Sequence, residues 1–408
     1  VTVVKLHFNY KDVFRAARLG LSFKKILIQL IGFIIGFLGY DLFAYLAHVS
    51  GGWSWVEIWD QFRLCPIYPI GFPWYSWLIW LIGLIWFICV LLITGTAVAK
   101  VTYEQLKGDE FYEAKEAFKF ALTHGKAVIL TPLLIILFIL LLVVMGLILS
   151  AIGRWIPYFG ELFVMLMSIP AFFAAFGIII LLIGTLVSLL YGPAIVATTK
   201  SDTFDTLFES FSILQYQTWR LVVYTVLLRV IIGVALFIAG YLSAKAIFLG
   251  KGIVGIFMAD KLDLLFNNAA HLVRITIPPI CPDFVFQKIT WTLEKFGMMN
   301  LLFPPGYQDV NWAMAIAGFG MGIFYYLIIL MVLSYGFAIW WAGTTVIFTV
   351  LVMKKDERNL LEEKEEIPPV IEEEKKEEKE EEKPKRRRRT KKKEKKEEER
   401  KEEDTSSS

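Results

Sequence analysis

The chain is short of charge where a water-soluble protein most needs it. Of its 408 residues only 20% are Asp, Glu, Lys or Arg, against about 25% in an average soluble domain. Half of those charges lie beyond Met353. The first 353 residues hold too few polar groups to clothe a globule, which excludes an ordinary water-soluble fold. Cysteine is also scarce. Cys65, Cys89 and Cys281 make neither a disulfide framework nor a CxxC metal site. His7, His48, His124 and His271 are scattered and include no HExxH pair. No catalytic, metal or cofactor signature emerges, and none of the three is expected. No polar stripe runs along any apolar stretch, which counts against a channel.

What fills the space is hydrocarbon. The chain is 56% hydrophobic and 15% aromatic, with a mean hydropathy of +0.57. A spanning helix needs about 20 apolar residues at about 1.5 Å each. Six stretches qualify: roughly 26–48, 75–98, 127–151, 168–198, 219–246 and 312–353. The expected fold is all-α integral membrane, with a polytopic domain over 1–353, an outer loop over 250–311 and a tail over 354–408. The last stretch is awkward. As one helix it exceeds the bilayer, and a break near Ser334-Tyr335-Gly336 would make it two spans and move the tail to the other side. No polar loop separates the halves, so one long helix is expected.

Orientation follows the Lys/Arg bias of short loops. The N-terminal segment carries Lys5, Lys11, Arg15, Arg18, Lys24 and Lys25, and the 99–126 loop carries Lys100, Lys107, Lys115, Lys119 and Lys126. By contrast 49–74 has Arg63 alone and 152–167 has Arg154 alone. Both termini are expected in the cytoplasm, in a bacterial inner membrane.

A repeat runs through the cytoplasmic segments. Asp109, Phe111, Glu116 and Phe118 match Asp202, Phe204, Glu209 and Phe211 at a constant offset. Upstream, Gly95-Thr96-Ala97-Val98 matches Gly192-Pro193-Ala194-Ile195. Phe204, Leu207, Phe208 and Phe211 share one face at helical spacing, opposite Asp205, Glu209 and Ser212, the pattern of a helix lying in the membrane interface. Phe14, Ala17 and Leu21 form a fainter third copy. The chain then reads as three units, each an interfacial amphipathic helix followed by a transmembrane hairpin. Any amphipathic juxtamembrane helix shares some of this pattern.

The run Phe204-Asp205-Thr206-Leu207-Phe208-Glu209-Ser210-Phe211 leading to Trp219-Arg220-Leu221, with Trp341-Ala342-Gly343-Thr344-Thr345-Val346 near the end, resembles a broad class of uncharacterised bacterial polytopic membrane proteins. That class includes the membrane domain accompanying some glycerophosphodiester phosphodiesterases. The resemblance implies architecture. With no soluble phosphodiesterase domain in the chain, it implies no hydrolytic activity.

Ionisable groups inside a span are costly and mark candidate sites. Arg229 falls near mid-membrane and Asp41 nearer the outer surface. A pair between them would have to bridge about 10 Å of depth; an intramembrane anion or proton site is the functional reading, and snorkelling or pairing with backbone carbonyls the bland one. Gly32-x-x-x-Gly36 and Gly318-x-Gly320-x-Gly322 favour close helix packing within the chain. Cys65 and Cys281 both fall in outer loops, where an oxidising exterior would permit a bridge. The outer segment holds Asp260, Asp263, His271, Asp283 and Glu294 in no recognised catalytic spacing, and Leu262, Leu265, Ala269 and Leu272 as the apolar face of a cap.

The tail alternates acidic and basic blocks, including Arg386 to Arg389. Such composition cannot bury a core and is expected to be disordered. Its basic block could grip anionic lipid at about 1 kcal/mol per residue, or an unknown cytoplasmic protein; nucleic acid is the less expected partner. Three functional classes follow. The first is a non-catalytic scaffold or assembly protein, the second a small-solute or lipid transporter with a site near Arg229, and the third a membrane-bound lipid-acting enzyme. The scaffold leads, because intramembrane polar groups are few and no catalytic constellation is present.

Overall fold

The computed structural model describes residues 6–62, 71–156, 158–273, 283–295, 299 and 310–362. The described chain is helical and contains no strand. Two short helices, α1 (Tyr10–Val13) and α2 (Arg15–Gly20), lead into α3 (Phe23–Ser50). After α4 (Trp55–Phe62) come α5 (Trp74–Lys107), α6 (Ala114–Trp155), α7 (Phe159–Thr199) and α8 (Thr203–Met258). Two more short helices, α9 (Asp260–Leu272) and α10 (Asp283–Lys295), precede α11 (Trp312–Asp356). Six of these, α3, α5, α6, α7, α8 and α11, are long and apolar enough to cross a membrane. The chain is an all-α polytopic integral membrane protein.

The helices outrun the apolar stretches that announce them. Spans end where hydrocarbon ends, but a backbone with favourable local sequence keeps its hydrogen-bond ladder going into the interface. Thus α5 continues past 98 to Lys107, where Gly108 takes the left-handed conformation (φ 100°) and stops it. The segment before the third span is the beginning of α6 itself, with no non-helical residue between. The corresponding segment before the fifth span is set off by a kink at Gln217 (φ −130°). Asp202 caps α8 by accepting from the Asp205 amide at 2.9 Å. The outer loop expected from 250 begins as helix, since α8 runs on to Met258. Through Ser334-Tyr335-Gly336, α11 is unbroken.

The long helices pair as α3 with α5, α6 with α7, and α8 with α11. Their lipid-facing surfaces are apolar on the outside, as on α3 where Ile31, Ile35, Leu38 and Leu42 are exposed. At one end, Trp74, Trp155, Tyr158 and Trp312 stand out from the tips of α5, α6, α7 and α11, the place of an interfacial aromatic belt. We call this the hairpin face, and the opposite one, where α2 and the end of α11 lie, the terminal face. The core sits toward the terminal face. There 94–103 of α5, 191–198 of α7 and 338–352 of α11 are each buried without interruption.

Small residues make that density possible. Gly20 lies directly on the Ile339 backbone, where a methyl group would stand 2.7 Å from its Cα. Gly32 sits on Thr94 and Gly36 on Phe87, so the first glycine pair joins α3 to α5. Gly318 and Gly322 seat α9 against α11, whereas Gly320 faces open space. The expected cap is α9, with Leu262, Ala269 and Leu272 buried and Leu265 half-buried. Threonine hydroxyls in the core donate to carbonyls one turn back, as Thr96 to Leu92 (2.8 Å) and Thr345 to Trp341 (2.7 Å), so they are buried with their donors satisfied.

Candidate functional site

The segments expected at the interface dock on the terminal face by a side the apolar pattern does not reveal. In 203–216, Thr206, Ser210 and Ile213 are buried, at helical spacing. Phe204 and Phe208 are exposed, Leu207 is half-buried, and Phe211 packs over Gly184 of α7. At the start of α6 the buried side is Ala117 and Ala121, while Phe111 is exposed and Phe118 half-buried. In the N-terminal pair, Val13 and Ala16 are buried while Phe14 and Leu21 are exposed. In each case small residues let the segment approach the bundle, while Phe204, Phe208, Phe111, Phe14 and Leu21 stay exposed.

Polar ties lock this face. The Lys25 ammonium, fully buried, donates to the Leu19 carbonyl (3.0 Å) and to Gln105 Oε1 (2.8 Å). Lys24 reaches the Tyr112 carbonyl at 2.6 Å. Lys355, near the end of α11, pairs with Glu209 at 2.9 Å and donates to Ser212 at 2.9 Å, which fastens α11 to the interfacial segment of α8. The chain then folds back so that Leu360 and Leu361 are buried, and the Tyr103 hydroxyl donates to the Leu360 carbonyl at 2.7 Å. Immediately beyond, the charged tail begins.

Arg229 and Asp41 are not brought together. Among the described residues no hydrogen bond or ion pair joins them. Asp41 lies on α3 with a buried Oδ1 that has no hydrogen-bond partner among the described residues. Arg229 stands on α8, 12 residues beyond the Gln217 kink and so about 18 Å along the helix axis. Its guanidinium lies over the Trp340 ring, 5.2 Å from the centroid. Together with Trp341 these two line an open cavity of about 440 Å³ among α5, α7, α8 and α11. The tryptophans escape a sequence reading centred on charge. The available signal is an adjacent Trp pair leading directly into the small-residue run Ala342-Gly343-Thr344-Thr345.

The outer acids do not converge. Asp263 pairs with Lys251 at 2.6 Å, and Asp283 and Glu294 are exposed on α10. His271 lines a separate pocket of about 330 Å³ with Trp59, Asp60 and Asn268, all of them engaged in interactions. Among the described residues no group of three His, Cys, Asp or Glu side chains gathers as a metal site. Cys89 is a free, half-buried thiol in α5. Cys65, Cys281 and the tail beyond 362 lie outside the described residues.

The described fold is that of a polytopic α-helical membrane protein with a closely packed terminal face and a cavity lined by Arg229. The chain matches no protein-family model, no curated protein and no solved structure. Its functional reading rests on its own geometry.

Proposed function

We propose that the chain is a non-catalytic membrane scaffold or assembly protein, holding its termini in the cytoplasm of a bacterial inner membrane and recruiting a cytoplasmic protein through its terminal face and tail. The observation that carries this is the clamp at the root of the tail, where Tyr103 holds the Leu360 carbonyl and Lys355 holds Glu209 and Ser212. A segment of alternating charge blocks that leaves from a fixed point on a packed surface is suited to presenting itself to a partner. The short basic loops support the orientation. The same reading treats the three helix pairs as copies of one unit. The matched motifs Gly95-Thr96-Ala97-Val98 and Gly192-Pro193-Ala194-Ile195 are both buried toward the ends of α5 and α7, which supports that reading.

The test is a chain ending at Leu361, compared with the full chain by in-cell cross-linking followed by purification in mild detergent. A discrete stoichiometric companion present on the full chain and lost from the shortened one, with membrane insertion and thermal midpoint unchanged, is the expected result. The same cross-linked species from both chains would overturn the role given to the tail.

A further inference from the structure

We infer that the cavity beside Arg229 is a binding site for a single-chain amphiphile with an anionic head, a carboxylate foremost, which enters from the bilayer. This goes beyond the scaffold reading and does not depend on it. An arginine cannot shed its charge in a protein, and a charge within a span ordinarily pairs with another group or lines a cavity. Among the described residues Arg229 has neither an ion pair nor a hydrogen bond, and its guanidinium lies over the face of Trp340. The neighbouring indole of Trp341 lines the same cavity. The Trp341 ring is 4% exposed and its Nε1 has no acceptor among the described residues. One permanent cation, exposed at the mouth of an otherwise apolar cavity, asks for an acceptor that the described chain does not supply.

The rest of the lining says what that acceptor is attached to. Apart from Arg229 and the two indoles, the walls are aliphatic or aromatic, with Leu92 from α5, Leu190 from α7, Leu236 from α8 and Phe337 from α11 among them. A hydrated inorganic anion would gain nothing from these walls. A hydrocarbon chain fills them. A volume of about 440 Å³ falls in the range of drug-sized ligands, which suits one acyl chain rather than the paired chains of a whole phospholipid. The flat guanidinium fork matches a carboxylate with two parallel hydrogen bonds. A free path exists as well, because Arg229 itself and its helix neighbours Val226 and Val230 are exposed on the bilayer side of α8.

A larger apolar groove, about 650 Å³ between α8 and α11, lacks this unmet demand. Its cation, Lys251, is already paired with Asp263.

The experiment uses the full chain, purified and stripped of lipid in detergent, and measures equilibrium binding of radiolabelled palmitate. Competition by lysophosphatidic acid and by phosphatidylcholine follows. The expected result is saturable binding near one palmitate per chain, with affinity at least tenfold weaker in Arg229→Gln and no competition by phosphatidylcholine. Stronger competition by lysophosphatidic acid than by unlabelled palmitate would replace the carboxylate by a phosphate and overturn that part of the inference. Equal binding by wild type and Arg229→Gln, or equal competition by the neutral lipid, would overturn the site. Should Arg229→Gln fail to fold, Ile232→Trp keeps the charge and fills the cavity. It must abolish saturable binding, and undiminished binding would sink the proposal.

Discussion

Gly20→Ala should loosen the terminal face by more than any single methyl group added to the bilayer-facing surface. Gly20 is the last residue of α2 and rests on α11. A Cβ there would stand 2.6 Å from Ile339 Cγ1, 2.7 Å from its Cα and 2.8 Å from its amide nitrogen. The first of these could yield by rotation of a side chain. The other two are backbone of a helix whose residues 338–352 are buried on every side, so α11 cannot give way. α2 must move instead, and Val13 and Ala16, both fully buried, move with it. Overpacking of this kind costs about 1–3 kcal/mol. The intrinsic helix gain of Ala over Gly is at most about 1 kcal/mol and smaller at a helix end. The net is a loss of about 1–2 kcal/mol. Gly146→Ala is the matched control, since it lies inside α6 with nothing within 4 Å of an added Cβ. That variant keeps the helix gain without the clash, so it should be neutral or slightly stabilised. Denaturant titration in mixed micelles, followed by helicity, ranks the three proteins. If Gly20→Ala proves as stable as Gly146→Ala, the close seating of α2 on α11 is wrong.

Lys355→Ala should cost about 1 kcal/mol, because hydrogen bonds to charged groups carry about 1.5–3 kcal/mol and Glu209 is partly open to solvent, which weakens the pair. Its signature is faster amide exchange over 203–216, with α3 unaffected. Tyr103→Phe removes one hydrogen bond to the Leu360 carbonyl, worth about 1 kcal/mol. Limited proteolysis should then cut more readily over 357–361. Gly322→Leu should displace α9, because a Cβ there already meets Leu272 at 2.6 Å. Gly320→Leu, with open space beside it, should leave protease sensitivity at α9 unchanged.

Six spans were legible because a bilayer imposes a length of apolar sequence that chance seldom supplies, and α11 was legible as one helix because no polar residues interrupt it. The helix ends were less so. Nothing in a hydropathy profile marks that α6 runs without a break from Ala114, or that α8 continues to Met258. The location of the core was not legible at all. In a membrane both the buried and the lipid-facing positions are apolar, so 338–352 and the exposed stretch around Phe319 and Phe324 look alike. The usable signal was size. Gly95, Ala97, Ala99 and Thr96 in α5, or Gly343, Thr344 and Thr345 in α11, mark where backbones approach. At the site, charge led to Arg229 but not to Trp340 and Trp341, whose role follows from which helices meet there. Asp41 and Arg229 stood out for the same reason, yet they lie on helices whose packing gives them separate surroundings.

The most direct test of the whole account is the side of the membrane on which the tail lies. With Cys65, Cys89 and Cys281 replaced by serine, single cysteines at Ser406 and at Asp109 would be exposed to a membrane-impermeant maleimide in intact and in permeabilised cells. Both positions should label only after permeabilisation, which keeps the tail and the terminal face together in the cytoplasm. Labelling of Ser406→Cys in intact cells would contradict the account, because a tail outside the cell cannot recruit a cytoplasmic partner and an unbroken α11 could not deliver it there.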